Sequence, residues 1–420
     1  MNVTLKPTVL GGKIEAIPSK SHAHRLIICA SLGDAPTRII CPSTSRDIEA
    51  TAECMRALGA KIQRTGDGYD ITPIDKASRP PHPHLECGES GSTLRFLLPV
   101  CAALGGEFDF IMRGRLPERP LSPLYEILCE GGVTLSEAGT NPLRMSGKLT
   151  ETCFSIRANV SSQYISGLLF ASPLIAERCT LTLTTKPEST GYIDMTVAAM
   201  RQFGISVDID ASEGLPVYTV SGAYTTPASE IKAEGDWSNA AFWLCAGALG
   251  SSAVTVEGLR ADSLQPDRAI IDILRSFGAK IDESENTYTI YPSSLRSAKI
   301  DVSQCPDLAP VISVVAACAE GKSEIVGGAR LRLKESDRIA SVCSMIRALG
   351  GSAEEREDGM LISGTGLSGG VVDSARDHRI AMAAAIGSAA ASGDITILGA
   401  EATEKSYPSF FEDLGKLQLL

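Results

Sequence analysis

MRALGAKIQR, residues 55–64, carries the pattern that decides the fold. A run with helical apolar spacing stops at Gly59, and the residues after it alternate as a strand does. The phrase returns as LCEGGVTL at 128–135, MRQFGISVDI at 200–209, LRSFGAKIDE at 274–283 and IRALGGSAEE at 346–355. Its helix-ending glycines, Gly59, Gly131, Gly204, Gly278 and Gly350, stand 72 to 74 residues apart. A sixth copy, FFEDLGKLQLL with Gly415, arrives early.

A second series interleaves with the first. Helices rich in small and apolar residues end at Gly33, Gly105, Glu177, Gly250, Gly321 and Gly393, spaced 71 to 73 residues apart. Two independent markers on one period predict six copies of a single α/β unit, each with two helices and intervening strands. Glycine is expected just past a helix end because it accepts the left-handed conformation there. Three copies in each of two lobes put the change-over near Glu234-Gly235-Asp236.

The bulk numbers fit a large globular chain. The 420 residues suggest two or three domains, and at 44% hydrophobic and 21% charged they hold enough apolar material for large cores. A net charge of -11 argues against a nucleic-acid or membrane-surface protein, so any affinity for anions must be local. The first residues, MNVTLKPTVLGGKIEA, hold no signal-peptide core, and no apolar run reaches membrane-spanning length. The expected location is the cytoplasm. Twelve cysteines form no CxxC pair and sit mostly in apolar runs (Cys29, Cys101, Cys245, Cys318), which predicts reduced core thiols.

The second-series helices share an unusual start. They open with Ser19-Lys20-Ser21 through Arg25; Glu89-Ser90-Gly91-Ser92-Thr93 through Arg95; Ser161-Ser162-Gln163; Asp236-Trp237-Ser238-Asn239; Asp307; and Asp377-His378-Arg379. Cations there work against the helix dipole by a few tenths to ~1 kcal/mol. That cost is offset when an anion lies against the unpaired N–H groups of the helix end. Lys20, Ser21 and Arg25 therefore read as an anion cradle, with Arg25 removable at little cost in stability. Equivalent positions in repeated units predict several such starts aimed at one cleft. Further cations stand in loops: Arg113, Arg115 and Arg119 in RGRLPERP, Arg330 to Arg338 in RLRLKESDR, and Lys405 in EKSYPSF. No GxSxG, HExxH or GxxxxGK[ST] motif occurs. His22 and His24 are two apart on a helix, and His82 and His84 lie in a Pro-rich stretch, so no metal site is expected.

Taken together, PSKSHAHR (18–25), GESGSTLR (88–95), LPERP (116–120), SSQYISGLL (161–169), EGDWSNAAF (234–242), PDLAP (306–310), LKESDR (333–338), DHRIAM (377–382) and EKSYPSFF (404–411) resemble the 5-enolpyruvylshikimate-3-phosphate synthase family, in family order over essentially the whole chain. The resemblance implies an α/β (α+β) fold of two lobes. Each lobe holds three βαβαββ repeats around a pseudo-threefold axis, an inverse α/β barrel-like arrangement with six repeats in all. It implies a C-terminal lobe of residues 1–14 and 234–420, with phosphoenolpyruvate-side residues, and an N-terminal lobe of 15–233, with shikimate 3-phosphate-side residues. The implied reaction is attack of the 5-hydroxyl of shikimate 3-phosphate on C2 of phosphoenolpyruvate. C3 is protonated, and the tetrahedral intermediate loses phosphate.

By the same resemblance, Lys20, Asp307 and Glu335 are catalytic. Lys20, Ser21, Arg25, Ser161, Ser162, Gln163, Tyr192, Asp307 and Lys334 contact shikimate 3-phosphate. Lys20, Gly91, Arg119, Gln163, Arg338, Arg379 and Lys405 contact phosphoenolpyruvate. No metal or organic cofactor is implied, and the expected partners are these two small molecules, with no nucleic acid and no membrane, in a monomer. Glu89 stands where the family often has Asn, and Arg330 where some relatives have Asn. A sister family of UDP-N-acetylglucosamine enolpyruvyl transferases carries a loop cysteine that MRGRLPERP lacks. An RNA 3′-phosphate cyclase fits poorly with the acidic charge. A non-catalytic anion-binding relative has no reason to keep Lys20, Arg119, Asp307, Glu335, Arg338, Arg379 and Lys405 together.

Overall fold

The computed structural model describes residues 1–212, 214–227 and 229–419. The chain divides into two compact units: a discontinuous one, Met1–Ser19 with Glu234–Leu420, and a central one, Lys20–Ala233. Residues 15–19 go with the discontinuous unit. Glu15 pairs with Glu257, and the Ser19 N–H donates to the Glu234 carbonyl.

The central unit contains three four-stranded sheets with one strand plan. In the first, Glu230–Lys232 runs parallel to Thr37–Ile40, followed antiparallel by Gly68–Thr72 and Lys61–Arg64. The second orders His84–Gly88, Gly106–Met112, Leu143–Gly147 and Val133–Leu135 in the same way. The third orders Cys153–Ile156, Arg178–Leu183, Val217–Ser221 and Ser206–Asp210 likewise. Each repeat thus reads strand, helix, strand, helix, strand, strand. The first strand of the first sheet comes from the far end of the unit's chain.

The discontinuous unit repeats the plan. Gly12–Glu15 pairs parallel with Val254–Glu257, beside Thr287–Tyr291 and Lys280–Ser284. Lys299–Asp301, Lys322–Val326, Gly359–Ser363 and Ser352–Arg356 form its second sheet. The third has three strands, Gly370–Asp373, Ile395–Leu398 and Asn2–Leu5. The early sixth phrase now has an explanation. Its helix, Phe410–Leu417, leads into Gln418–Leu419, which pairs with Val9–Leu10, while Asn2–Leu5 takes the place of the missing hairpin.

One helix of each repeat is buried on nearly every side: Lys20–Leu32, Gly91–Leu104, Ser162–Ile175, Trp237–Leu249, Ala309–Cys318 and His378–Ile386. An all-round apolar body requires that burial. Each fully buried Leu or Ile contributes about 1.5–3 kcal/mol. The units have separate cores, built on these helices. At Gly167 a Cβ would lie 2.3 Å from the Arg95 carbonyl oxygen, so only glycine lets the 91–104 and 162–175 helices approach this closely.

The glycine expectation needs correction at several copies. Gly59, Gly204, Gly278 and Gly350 have positive φ, but at 128–135 Gly132 takes that conformation (φ 102°) while Gly131 stays at -81°. Gly33, Gly250 and Gly393 are not left-handed either. Nine of the twelve cysteines are buried, whereas Cys318 is only half-buried.

Candidate active site

In the central unit the first turn of Lys20–Leu32 holds no acidic residue, and compensation comes from another helix. Asp47, in the first turn of Arg46–Ala57, places Oδ2 2.9 Å from Lys20 Nζ. Arg25 is 2% exposed. Its Nε donates to Thr196 Oγ1 (2.9 Å), its Nη1 to the Ser21 carbonyl (2.6 Å) and its Nη2 to the Tyr192 carbonyl (2.7 Å). Thr196 passes its own proton to Ser166 Oγ (2.7 Å). The guanidinium also lies over the Phe96 ring, 5.1 Å from its centre. Burial pushes its pKa down to about 10, against the effect of Tyr192. The expected open cradle is therefore corrected at Arg25. Its donors tie the start of its own helix to the Thr190–Gln202 helix, and its removal leaves buried acceptors unpaired.

His24 is fully buried and neutral, its pKa lowered by burial to about 3. Its Nδ1 meets Thr51 Oγ1 (2.6 Å), Thr51 meets Thr93 (2.7 Å), and Thr93 donates to Ser90 Oγ (2.8 Å). Ser90 caps the next buried helix. A Cβ on Gly91, the first residue of that helix, would lie 2.8 Å from Arg119 Nη1. The Arg119 guanidinium thus rests against a bare helix start. Arg113 and Arg115 are exposed and pair loosely with Glu86 and Glu118 at 3.4 Å. Gln163 donates from Nε2 to Ser92 Oγ (2.9 Å) and accepts from Arg95 Nη1 (2.8 Å). Ser161 caps the Ser162–Ile175 helix, and Ser162 is buried. Tyr192, half-buried, opens the Thr190–Gln202 helix beside Ser189, whose φ of 53° is strained for a non-glycine residue.

The discontinuous unit brings Asp307, Lys334, Glu335, Arg338, Arg379 and Lys405 into one cluster. Asp307 Oδ1 lies 3.2 Å from Lys334 Nζ and 2.7 Å from Arg338 Nη1, and its Oδ2 lies 3.3 Å from Arg379 Nη2. Arg338 also reaches Glu335 Oε2 (2.8 Å) and Asp377 Oδ2 (2.7 Å), and Lys405 Nζ is 3.9 Å from Glu335 Oε1. Burial alone raises the Asp307 pKa, but Lys334, Arg379 and Arg338 together hold it well below the usual range. Burial lowers Lys334, offset in part by Asp307. Arg338 loses by burial and gains more from Asp377, Glu335 and Asp307, so it stays charged. The Arg338–Asp377 pair is 1% and 0% exposed. Deleting one member of such a pair costs about 3–5 kcal/mol.

The sequence pattern singled out the cations together with Asp307 and Glu335, but not Asp47 or Asp267. Asp47 lies inside an ordinary amphipathic helix and Asp267 in a short 3-10 turn, Pro266–Ala269. Asp377 was visible only as a helix cap, and it is also the Arg338 counter-ion. Arg330 donates to the Ser303 carbonyl (2.8 Å). His82 and His84 stack with ring centres 5.2 Å apart, beside Asp109. Among the described residues no three His, Cys, Asp or Glu side chains group as metal ligands.

The fold has solved counterparts. The EPSP synthase from Acinetobacter baumannii superimposes with a TM-score of 0.82 at 24% identity, over 100% of this chain and 98% of that one. The enolpyruvyl transferase NikO from Streptomyces tendae gives 0.75 at 19% identity, over 99% and 97%. Five complete βαβαββ repeats and a sixth closed by Asn2–Leu5, with polar or charged helix starts, thus define the enolpyruvyl-transferase class of fold. A sequence model of EPSP synthase (3-phosphoshikimate 1-carboxyvinyltransferase) matches residues 5–414. The 3-phosphoshikimate 1-carboxyvinyltransferase of Clostridium kluyveri is 41% identical over 417 residues, 99% of this chain and 97% of that one. The chain belongs to the EPSP synthase family.

Proposed function

We propose that this protein transfers the enolpyruvyl group of phosphoenolpyruvate to the 5-hydroxyl of shikimate 3-phosphate and releases phosphate. The observation that supports the reading best is the Asp307 cluster: one carboxylate within 3.3 Å of three cations, with Glu335 on the other terminal nitrogen of Arg338. Two polyanions repel each other, and preorganised cations offset that repulsion. Arg119, Arg338 and Arg379 suit phosphate and carboxylate because their forks bind two oxygens at once. With Lys20, Gly91, Gln163 and Lys405 they take phosphoenolpyruvate. Ser21, Arg25, Ser161, Ser162, Tyr192 and Lys334 take shikimate 3-phosphate, Arg25 by holding Ser21 and Tyr192 in place. The central unit is then mainly the shikimate 3-phosphate side, and the discontinuous unit mainly the phosphoenolpyruvate side.

Asp307 accepts the hydrogen bond of the attacking hydroxyl. In the empty site its neighbours make it a weak base. Anionic substrates neutralise Lys334, Arg338 and Arg379, the groups that hold its pKa down, so binding itself strengthens the base. Glu335 serves proton transfer at the methylene carbon, with Lys20 as the second candidate donor. Aligning two bound substrates supplies ~7–11 kcal/mol of barrier reduction. The same reading takes the protein as a cytoplasmic monomer needing no metal or organic cofactor.

Steady-state phosphate release tests the proposal. Release is expected only when both substrates are present. A folded protein that releases none with both would leave anion binding without catalysis.

A further inference from the structure

The Arg379 guanidinium has a second carboxylate behind it. Its Nη2 donates to Ser238 Oγ (2.7 Å) and its Nη1 to the Ser238 carbonyl (3.1 Å), whereas Asp307 Oδ2 is farther from Nη2, at 3.3 Å. Ser238 in turn donates its hydroxyl proton to Asp267 Oδ2. A serine hydroxyl has one proton to give. With that proton at Asp267, only lone pairs face Arg379. Asp267 is 1% exposed, and its turn is pinned in place by Gln265. Gln265 Oε1 accepts from the Trp237 N–H (3.1 Å), and its Nε2 donates to the Gly235 carbonyl (2.7 Å).

Resting on the function proposed above, we propose that Asp267 is a positioning residue for phosphoenolpyruvate binding: through Ser238 it seats Arg379 and keeps that arginine, whose Nη2 already reaches Asp307 Oδ2 at 3.3 Å, from closing further onto Asp307. Losing Asp267 frees the Ser238 proton to turn toward Arg379, and the guanidinium then moves to the nearest remaining carboxylate. Arg379 leaves its place for the substrate, and Asp307 loses an oxygen needed for the attacking hydroxyl.

The charge is costly to keep. Burial raises the Asp267 pKa to about 6, with Asp307 and Asp236 acting the same way and Arg379 and Ser238 opposing them. Cys305 also lies within its field, and its thiol is pushed up, mainly by burial. Because the folded pKa exceeds the unfolded value of about 3.9, the folded state binds this proton more tightly. Ionised Asp267 therefore destabilises the protein above about pH 6, and that penalty fades as pH falls through 6.

Asp267→Asn and Ser238→Ala test the inference by steady-state kinetics and thermal melting from pH 5.5 to 8. Each should raise KM for phosphoenolpyruvate about tenfold, the loss of roughly one charge-assisted hydrogen bond. KM for shikimate 3-phosphate should stay within about twofold, and the double variant should be no worse than the weaker single. Wild type should lose phosphoenolpyruvate affinity below pH 6 more steeply than Asp267→Asn, a comparison in which titration of the substrate cancels. Asp267→Asn should melt at or above the wild-type temperature at pH 7.5, an advantage that shrinks below pH 6. A residue of merely structural use would lower the melting temperature and weaken both substrates alike, and that result overturns the inference. So does an unchanged KM for phosphoenolpyruvate in both variants. A wild type that turns nothing over fails the proposed function itself, and the inference falls with it.

Discussion

Replacing Gly91 by Ala separates the position of Arg119 from the stability of the fold. The new Cβ would sit 2.8 Å from Nη1, 3.2 Å from Cζ and 3.4 Å from Nη2 of Arg119. Ordinary contact requires the guanidinium to retreat by roughly 0.7–1.2 Å, using the ~3.5–4.0 Å optimum for non-bonded atoms. The obstacle is the far end of a flexible side chain and not backbone, so the backbone does not have to shift. Gly91 is the first helical residue and its φ is not left-handed, so alanine is accepted there and gains up to ~1 kcal/mol in helix propensity. Function is less tolerant. Losing one charge-assisted hydrogen bond to a bound anion costs about 1.5–3 kcal/mol, or roughly tenfold to a hundredfold in affinity. We expect KM for phosphoenolpyruvate to rise by that factor, KM for shikimate 3-phosphate to stay within about twofold, and the melting temperature to hold or rise slightly. Phosphate release with each substrate varied in turn, beside a thermal melt, reads all three. An unchanged KM for phosphoenolpyruvate refutes the placement of Arg119 over the helix start as a binding device. A melting temperature lower by many degrees refutes the premise that only a flexible side chain is in the way.

Thr196→Val removes the acceptor of Arg25 Nε in a fully buried place. It should cost about 1.5–3 kcal/mol in denaturant unfolding and weaken shikimate 3-phosphate rather than phosphoenolpyruvate. Asp307→Asn should lower kcat by roughly 10²–10⁴-fold in the phosphate-release assay. The same substitution carries a pH signature in stability. The folded pKa of Asp307 lies below its unfolded value, so its contribution is present above about pH 4 and is lost as pH falls further. Unfolding free energies of wild type and variant should therefore differ at pH 7 and draw steadily closer as pH falls below about 4.

The repeat was legible because glycine recurs on one period just past the helix ends, whichever local reason each copy has for it. Where two glycines adjoin, as at Gly131 and Gly132, the pattern cannot say which one turns left-handed. At Gly33 the reason for glycine is space: a Cβ would lie 2.6 Å from Thr226 Oγ1. The parallel strands Glu230–Lys232 and Gly12–Glu15 have partners near residues 38–40 and 254–257, and no local signal encodes a pairing at that separation. The site divides in the same way. A cation at a helix start is locally unfavourable and so stands out, which is why Lys20 and Arg379 were readable; Arg338 was readable only as one of a run of loop cations, although it opens the Arg338–Ala348 helix. Their counter-ions are ordinary where they stand. Asp47 looks like any acidic residue in a first turn, and Asp267 like any turn aspartate, until folding sets them against Lys20 and Ser238. Arg25 shows the converse: its position in the chain says cation, while its role as a brace depends on Thr196 and Tyr192, more than 160 residues away.

Addition to C2 with protonation at C3 makes a methyl group that must give back one hydrogen when phosphate leaves. Turnover in D₂O with both substrates, followed by proton and phosphorus NMR, examines that sequence directly. One phosphate per enolpyruvyl ether is expected, with deuterium in the vinyl methylene of the product. An ether formed without deuterium would contradict protonation at C3, and a folded protein yielding neither ether nor phosphate would contradict the assignment of Asp307, Glu335 and their surrounding cations to this chemistry.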